Sequence, residues 1–312
     1  MNLIQIGRLT EDECRAYFER LRWAGKPVCP RCGASDPYTL KPNPKAKHPV
    51  RPGVYKCRAK GCRKPFSVTV GTVMERSHVT MKVWLTAFHL LCSSKKGFSA
   101  KQLQRETGVD MKTAWFVAHR IREAMKRPPM PSLRLLYGIV EADEVYIGGR
   151  PRAYEKVKTG RPGPDSKKTP VLSLVERSGE VRSFRLPRVT AETVRSLLRE
   201  HIDPASRLMT DDYNPYRGMG REFASHETVN HSAKEYARGD AHTQTIEGFF
   251  SILKRGINGV YHHVSRKHLD RYLSEFDFRY NGRKLSDGER TARAIVGAQG
   301  KRLMYRQPVL PK

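Results

Sequence analysis

Apolar residues recur at helical spacing in the first third of the chain. Val83, Trp84, Ala87, Phe88 and Leu91 form one continuous stripe when the segment is drawn as a helix. This period predicts a helix that starts near residue 77. Residues 1–25 are also expected to be helical, as a lead-in to the segments that follow.

Two short helical patterns separated by a turn occupy residues 98–125. Ser99 is a suitable N-cap for the first, which ends near Gly108. The second carries its inward-facing apolar side chains at Ala114, Val117, Ala118 and Ile121. Many all-helical cores share this pattern, but it also predicts a helix-turn-helix region over residues 75–127. Three prolines at 128, 129 and 131 then mark a domain boundary.

Strand and helix patterns alternate in the second half of the chain. Three strands (135–147, 171–175 and 181–186) are followed by a helix capped by Thr190, a strand at 206–210, a short strand within 222–231 and a helix at 243–255. This order is that of a ribonuclease-H-like fold, predicted here for residues 133–285. The expected fold class is α/β in a multidomain chain, with a basic insert loop at 148–169 and a C-terminal tail at 286–312.

The net charge of the chain predicts the kind of partner that it binds. The chain has 59 Lys and Arg against 31 Asp and Glu, a formal net charge of +28. An excess of this size is typical of proteins that bind a polyanion, most often nucleic acid. Lys112, Thr113, Arg120 and Arg122 are therefore expected to face DNA from the second helix of the helix-turn-helix region. The longest apolar run, residues 83–92, is too short to span a membrane, and no secretory signal is recognisable, so a cytoplasmic, nucleoid-associated protein is expected.

Four cysteines have the spacing of a metal site. Cys29 and Cys32 form a knuckle, and Cys57 and Cys62 follow as a second pair. Two thiolate pairs suit closed, tetrahedral Zn²⁺ coordination. The wider spacing of the second pair weakens the match, and four unrelated free cysteines are the alternative. We predict a zinc ribbon over residues 26–74.

Three carboxylates stand out in this basic chain. Asp143 lies on the first strand of the predicted ribonuclease-H-like domain, Asp211 follows the fourth, and Glu247 lies on the final helix, with 35 residues between Asp211 and Glu247. Oxygen ligands from several elements could hold two Mg²⁺ ions for phosphoryl transfer, and Mn²⁺ could substitute. Asp212 is an alternative second acid, whereas the neighbouring Glu144 is expected to lie outside the ligand set or to face solvent.

Four segments together carry a family resemblance. They are SSKKGFSAKQLQRETGVDMKTAWFVAHRIREAM, VEADEVYIGG, LMTDDYNPY and HTQTIEGFFSILKRGINGVYHHVSRKHLDRYLSEFDFRYN. The chain resembles the DDE-type insertion-sequence transposases with an N-terminal zinc ribbon, in the bacterial branch related to Merlin elements. The resemblance covers about residues 25–285.

The resemblance implies site residues and an activity. It implies that Asp143, Asp211 and Glu247 are a catalytic triad, with Asp211 preferred to Asp212 because Tyr216 completes a Thr-Asp-x-x-x-x-Tyr pattern. It also implies a DNA-phosphate contact for Lys254, which shares a helix face with Glu247. The expected function is binding of terminal inverted repeats of double-stranded DNA, followed by metal-dependent cleavage and strand transfer to target DNA by a homo-oligomer. The alternatives are a DNA-binding regulator with an inert nuclease fold and a nuclease without strand transfer.

Overall fold

A computed structural model describes residues 1–41, 45–47, 49–130, 133–148, 168–230, 233, 235 and 237–304. The helices are α1 (Leu3–Arg8), α2 (Glu11–Trp23), α3 (Met81–Ser93), α4 (Ala100–Thr107), α5 (Met111–Ala124), α6 (Ala191–His201), α7 (Gln244–Gly256), α8 (Leu269–Asn281) and α9 (Asp287–Val296). The strands are β1 (Pro37–Thr39), β2 (Tyr55–Cys57), β3 (Pro65–Phe66), β4 (Ile139–Ile147), β5 (Thr169–Glu176), β6 (Val181–Arg185), β7 (Arg207–Asp211), β8 (Ser225–Val229), β9 (Ala237–Arg238) and β10 (Ala241–His242). None of the helices in these ranges is long and apolar enough to cross a membrane.

The chain divides into two compact units. Unit 1 comprises Met1–Ser94, Phe98–Lys126 and Leu285–Lys312, and unit 2 comprises Lys95–Gly97 and Arg127–Lys284. Unit 1 therefore contains the segments predicted as lead-in and zinc ribbon and, apart from residues 95–97 and 127, the predicted helix-turn-helix region. Unit 2 contains the segment predicted as the ribonuclease-H-like domain.

The aromatic and apolar residues of unit 1 build its core around α3 and a small sheet. Strands β1, β2 and β3 pair antiparallel in that order. Trp23 at the end of α2 meets the rings of Tyr55 and Phe66 edge-on, at centroid distances of 5.6 Å and 6.0 Å. Helix α3 buries Trp84, Phe88 and most of its other apolar side chains and packs against α2, α4, α5 and α9.

The two helices expected for a helix-turn-helix are α4 and α5. Ser99 caps α4 by accepting a hydrogen bond from the amide of Gln102, and Gly108 ends the helix with φ of 71°. Because this left-handed conformation is readily adopted by glycine, the chain can reverse there. Asp110 then caps α5 two residues later.

The C-terminal segment differs from the expected tail. Residues 287–296 form helix α9, which packs against α2, α3 and α5 within unit 1. Ser286 and Glu289 form a reciprocal capping box at its start, and the Thr291 hydroxyl lies 3.2 Å from Nδ1 of the buried His89. The Ser-x-x-Glu spacing is a sequence signal for a helix start that could have revealed α9. Residues 305–312 lie outside the described part of the chain.

Unit 2 is built on a five-stranded mixed sheet with the order β6-β5-β4-β7-β8. The pairs β6–β5 and β5–β4 are antiparallel, and β4–β7 and β7–β8 are parallel. Helix α6 connects the antiparallel strands to the parallel ones. This is the topology of the ribonuclease-H-like fold, and the predicted fold class is confirmed. Residues 149–167, nearly all of the predicted insert loop, lie outside the described residues.

The two faces of this sheet are covered by different helices. Val140 and Ala142 of β4 belong to a buried cluster with α6, whereas Val145 and Ile147 pack with α7 and α8. Successive strand residues point to opposite faces, so the odd-numbered positions of β4 face α7. Asp143 is one of these positions.

Candidate active site

Strand pairing places Asp143 and Asp211 side by side. Glu141 of β4 and Met209 of the parallel strand β7 are the last pair of this ladder, and Asp143 and Asp211 follow two residues later on their strands. Asp211 is the last residue of β7. The two carboxylates therefore lie together, Asp143 in the middle of β4 and Asp211 at the end of β7.

A third carboxylate joins this pair. One ligand oxygen each of Asp143, Glu144 and Asp211 lies within 4.8 Å of the others, and all three side chains are half-buried. The buried Tyr216 hydroxyl donates a hydrogen bond of 3.0 Å to Glu144 Oε2. Glu144 is thus part of the acid cluster rather than a solvent-facing neighbour of it. We call Asp143, Glu144 and Asp211 the acid cluster below.

The electrostatics of the acid cluster favour a bound cation. Desolvation raises the pKa of Asp143 well above its usual value, and the negative charges of Glu144, Asp211 and Glu247 raise it further, against one amide hydrogen bond from Glu144. Desolvation and the same cluster raise the pKa of Tyr216, so its hydroxyl stays a donor. Clustered oxygen donors of this kind match the preferences of Mg²⁺ and Mn²⁺.

The other expected site residues on this unit lie nearby or at the surface. Glu247 is exposed in the first turn of α7, where its Oε1 accepts a hydrogen bond of 3.2 Å from the Thr243 hydroxyl. Its charge contributes to the raised pKa of Asp143, but it is outside the group of oxygens within 4.8 Å among the described side chains. Asp212 is exposed and also outside that group. Lys254 is exposed in the last turn of α7.

The four predicted zinc ligands come together in unit 1. One sulfur atom each of Cys29, Cys32, Cys57 and Cys62 lies within 4.8 Å of the others, with Cys29–Cys62 at 3.8 Å and Cys32–Cys57 at 3.5 Å. Tetrahedral coordination with Zn–S bonds of about 2.3 Å requires sulfur separations of about 3.8 Å. Burial opposes ionisation of Cys29, but amide hydrogen bonds from Arg31 and Cys32 and the neighbouring thiols lower its pKa to about 7. The donor set therefore fits one structural Zn²⁺.

Two family models match the chain, one in the zinc-ribbon segment and one in unit 2. A profile described as a transposase zinc-ribbon domain matches residues 9–65, and one described as an ISXO2-like transposase domain matches residues 135–281, both of the IS1595 group. The chain belongs to the IS1595-type DDE transposases with an N-terminal zinc ribbon. An uncharacterised protein in the transposable element ISH50 of Halobacterium salinarum is 27% identical to this transposase over 286 residues, which cover 87% of the chain and 91% of the relative.

Other matches are shorter or looser. An uncharacterised transposase-like protein of Haemophilus influenzae is 26% identical over 106 residues, which cover 34% of this transposase and 85% of the relative. Among solved structures, the Mos1 strand transfer complex aligns with a TM-score of 0.27 and 16% identity over 68% of this chain and 74% of that one. A pre-cleavage Mos1 transpososome gives a TM-score of 0.28 and 16% identity over 70% and 80%. These superpositions are too loose for a comparison of sites.

The residues expected to face DNA on α5 of this transposase are not equally accessible. Lys112 is exposed, and Thr113 is half-buried with its hydroxyl and amide bonded to the capping Asp110. Arg120 is buried, contrary to expectation: its guanidinium lies 4.5 Å from the Phe116 ring centroid, and desolvation lowers its pKa. Arg122 is buried as well. The expectation that Arg120 and Arg122 face DNA therefore fails on burial, whereas Lys112 and the half-buried Thr113 stay accessible.

Sequence reasoning did not place Glu144 in the acid cluster and gave Glu141 no role. Glu144 follows Asp143 directly, and strand alternation alone would send its side chain to the opposite face of β4. Its place in the acid cluster depends on Tyr216, 72 residues away in the chain. Glu141 is fully buried between Val140 and Ala142. A carboxylate at an apolar position of a strand pattern was the available signal for it.

Proposed function

We propose that this transposase cleaves DNA at the ends of its element and joins the freed 3′-hydroxyl groups to target DNA, using Asp143, Asp211 and Glu247 as its catalytic acids. The observation that supports this assignment is the clustering of Asp143 and Asp211 on adjacent parallel strands, with Glu247 close enough to influence the pKa of Asp143. Glu144 is added as a fourth carboxylate of the site. Asp212, exposed and outside the acid cluster, is given no catalytic role.

Each side chain of the site would have its own role in the reaction. Bound Mg²⁺ ions would activate the attacking water or 3′-hydroxyl and stabilise the leaving oxygen. Asp143 and Asp211 would hold metal from rigid strands, and Glu247 would approach from the start of α7. Tyr216 keeps Glu144 in place by its hydrogen bond. Lys254, seven residues after Glu247 on the same helix, would contact a DNA phosphate beside the reacting one.

Unit 1 is the proposed DNA-end binding part. Its zinc ribbon and the exposed start of α5 present basic side chains, including Lys112, in a chain of net charge +28. An element has two ends, and the described part of each chain contains one acid cluster. We therefore propose that at least two copies assemble on the DNA, one for each end.

A strand-transfer assay tests the catalytic assignment. The full-length protein would be incubated with Mg²⁺, a duplex carrying one element end and a supercoiled target plasmid. Asp143→Asn, Asp211→Asn and Glu247→Gln should each abolish cleavage and joining but retain binding of the duplex. Asp212→Asn is the matched control and should keep substantial activity, because that carboxylate is exposed and outside the cluster.

The same assay separates the alternatives. Cleavage by the unchanged protein without any joined product would identify a nuclease that lacks strand transfer. Duplex binding with neither product, in Mg²⁺ and in Mn²⁺, would identify a regulator with an inert nuclease fold. Loss of activity in Asp212→Asn with activity kept in Asp211→Asn would transfer the second catalytic position to Asp212.

A further inference from the structure

We propose that Glu141 is a positioning residue, which fixes the start of α7 to strand β4 and thereby sets the distance between Glu247 and the acid cluster. This inference rests on the proposed catalytic use of Glu247. It assigns Glu141 no contact with DNA or metal. Its action would pass through the backbone of α7.

Glu141 is a buried carboxylate, and its partners explain how the burial is compensated. Its side chain is 0% exposed on a strand whose neighbours Val140 and Ala142 are equally buried. Burying a carboxylate is costly unless charged or hydrogen-bonding partners compensate it. Here Oε1 accepts a hydrogen bond of 2.7 Å from Arg177 Nε, and Oε2 accepts one of 2.9 Å from the backbone amide of Ile246. His242 Nδ1 also lies 3.4 Å from Oε1.

The contact with Ile246 makes Glu141 the cap of α7. Ile246 is in the first turn of the helix, where amides have no acceptor within the helix. The N-cap residue Thr243 makes no side-chain cap, and its hydroxyl donates to Glu247 instead. A carboxylate from β4 thus takes the place of a local cap, and its charge is favourable at the positive end of the helix dipole. The residue after Ile246 is Glu247.

Arg177 links Glu141 to the segment that precedes α7. Beyond its bond to Glu141, it donates through Nη1 to Asp240 Oδ1 and through Nη2 to the carbonyl of His242, both at 2.9 Å. Arg207 on β7 donates to the other oxygen of Asp240 at 3.0 Å. The segment from Asp240 to Ile246 is therefore joined by side-chain bonds to strands β4 and β7 and to Arg177, the residue that follows β5.

The geometry of β4 couples this anchor to the acid cluster. Glu141 and Asp143 are two residues apart and point to the same face, about 7 Å apart along the strand. Asp143 pairs with Ser173 and Asp211 pairs with Val229 within the sheet, so neither needs the anchor. Glu247 lies on a helix, and its place relative to them depends on how the helix start is fixed. Catalytic constellations tolerate errors of only about 0.5 Å.

Glu141→Gln in the full-length protein tests the proposal, because an amide group cannot accept from both donors. We expect hydrogen exchange at residues 244–248 to become about tenfold faster while α8 is unchanged, as for local opening of one segment. We expect weaker binding of a second Mn²⁺, measured by electron paramagnetic resonance, by about tenfold or more, which is typical when a supporting partner of a ligand is lost. Strand transfer should recover at high Mn²⁺ concentration, which a merely unfolded site would not do.

Controls and a double variant make the outcome decisive. Glu222→Gln removes a partly buried carboxylate that is paired with Arg195 and Arg199 of α6, and should behave as the unchanged protein. Glu141→Gln combined with Glu247→Gln should bind Mn²⁺ no more weakly than Glu247→Gln alone, because both act through one ligand.

If Glu141→Gln proves unstable, Arg177→Lys should give the same exchange pattern. Unchanged exchange at residues 244–248, or additive losses of Mn²⁺ affinity, would overturn the proposal. Absence of a second Mn²⁺ in the unchanged protein would instead contradict the proposed function, while the exchange measurement would still test the anchor.

Discussion

Asp143 illustrates how a single residue can lower the stability of a fold for the sake of a ligand. Its carboxylate is desolvated and faces Glu144, Asp211 and Glu247, and each of these effects raises its pKa. A carboxyl group whose pKa is raised in the folded protein makes folding less favourable as the pH rises above its unfolded-state value, near 3.9. A divalent cation would remove that penalty by neutralising the cluster.

Asp143→Asn should therefore stabilise the metal-free protein while it abolishes activity. We expect a higher Tm than that of the unchanged protein at pH 7 in EDTA, and a smaller difference near pH 4, where the native carboxyl is also protonated. Addition of Mn²⁺ should raise the Tm of the unchanged protein and leave that of the variant nearly the same. Differential scanning calorimetry with and without Mn²⁺ measures both effects. An Asp143→Asn protein that melts earlier in EDTA would contradict this electrostatic account.

Helix α5 and the zinc ribbon show where sequence patterns are informative for an element and where they are not. The cysteine spacing predicted which four side chains meet, because a closed tetrahedral site constrains spacing strongly. The helical period of α5 predicted its inward apolar residues equally well. It could not predict that Arg120 is covered, because a long side chain can lie over Phe116 as readily as point outward.

Lys112 and Arg120 should consequently differ when replaced. Lys112→Ala removes an exposed charge, so DNA binding should weaken, the slope of log K against log salt should fall by about one unit, and the Tm should stay the same. Arg120→Ala removes a buried side chain that lies over an aromatic ring, so the Tm should fall. Fluorescence anisotropy over a salt series and thermal melting distinguish the two. Equal salt slopes for Lys112→Ala and the unchanged protein would exclude a phosphate contact by Lys112.

Metal removal should act on the ribbon alone. Cys29→Ser deletes one of four ligands, and small zinc modules have little core without the metal. We expect the purified variant to lose its one zinc per chain, measured by atomic emission, and to lose binding of the element end. Cys14→Ser is the matched control, because Cys14 is buried in α2 away from the four-sulfur cluster. Zinc content unchanged in Cys29→Ser would contradict the ligand assignment.

The whole chain follows a path that no local pattern could reveal. Residues 1–94 and 98–126 build most of unit 1, the chain then builds unit 2, and residue 285 onward returns to unit 1. The order of strands and helices was sufficient to predict the fold of unit 2, because that order is specific to its topology. The packing of α9 in unit 1 depends on contacts with α3, some 200 residues earlier in the chain, such as the contact between His89 and Thr291. Side-chain clusters such as Glu144–Tyr216 and Glu141–Arg177–Ile246 are equally non-local and were not predicted.

Unit 1 should therefore depend on α9. Ile295→Asp places a charge at a position that is 5% exposed, whereas Val296→Asp changes a neighbour that is 49% exposed. We expect the first to destabilise unit 1 by about 3 kcal/mol and to weaken binding of the element end, and the second to have little effect. Mn²⁺ binding at the acid cluster in unit 2 should persist in both. Thermal melting combined with anisotropy measures the result, and equal behaviour of the two variants would argue against the packing of α9.

The return of α9 to unit 1 also orders events in time while the protein is being made. A ribosome that adds roughly 5–20 residues per second needs about 10–30 s to proceed from the end of α5 to the end of α9. Throughout that interval the catalytic unit can fold as its segments emerge, whereas the part proposed to recognise the element ends still lacks one of its helices. A nascent or prematurely terminated chain would thus acquire its acid cluster before a complete DNA-end binding surface. Translation itself would restrict recognition of the element to finished copies of the protein.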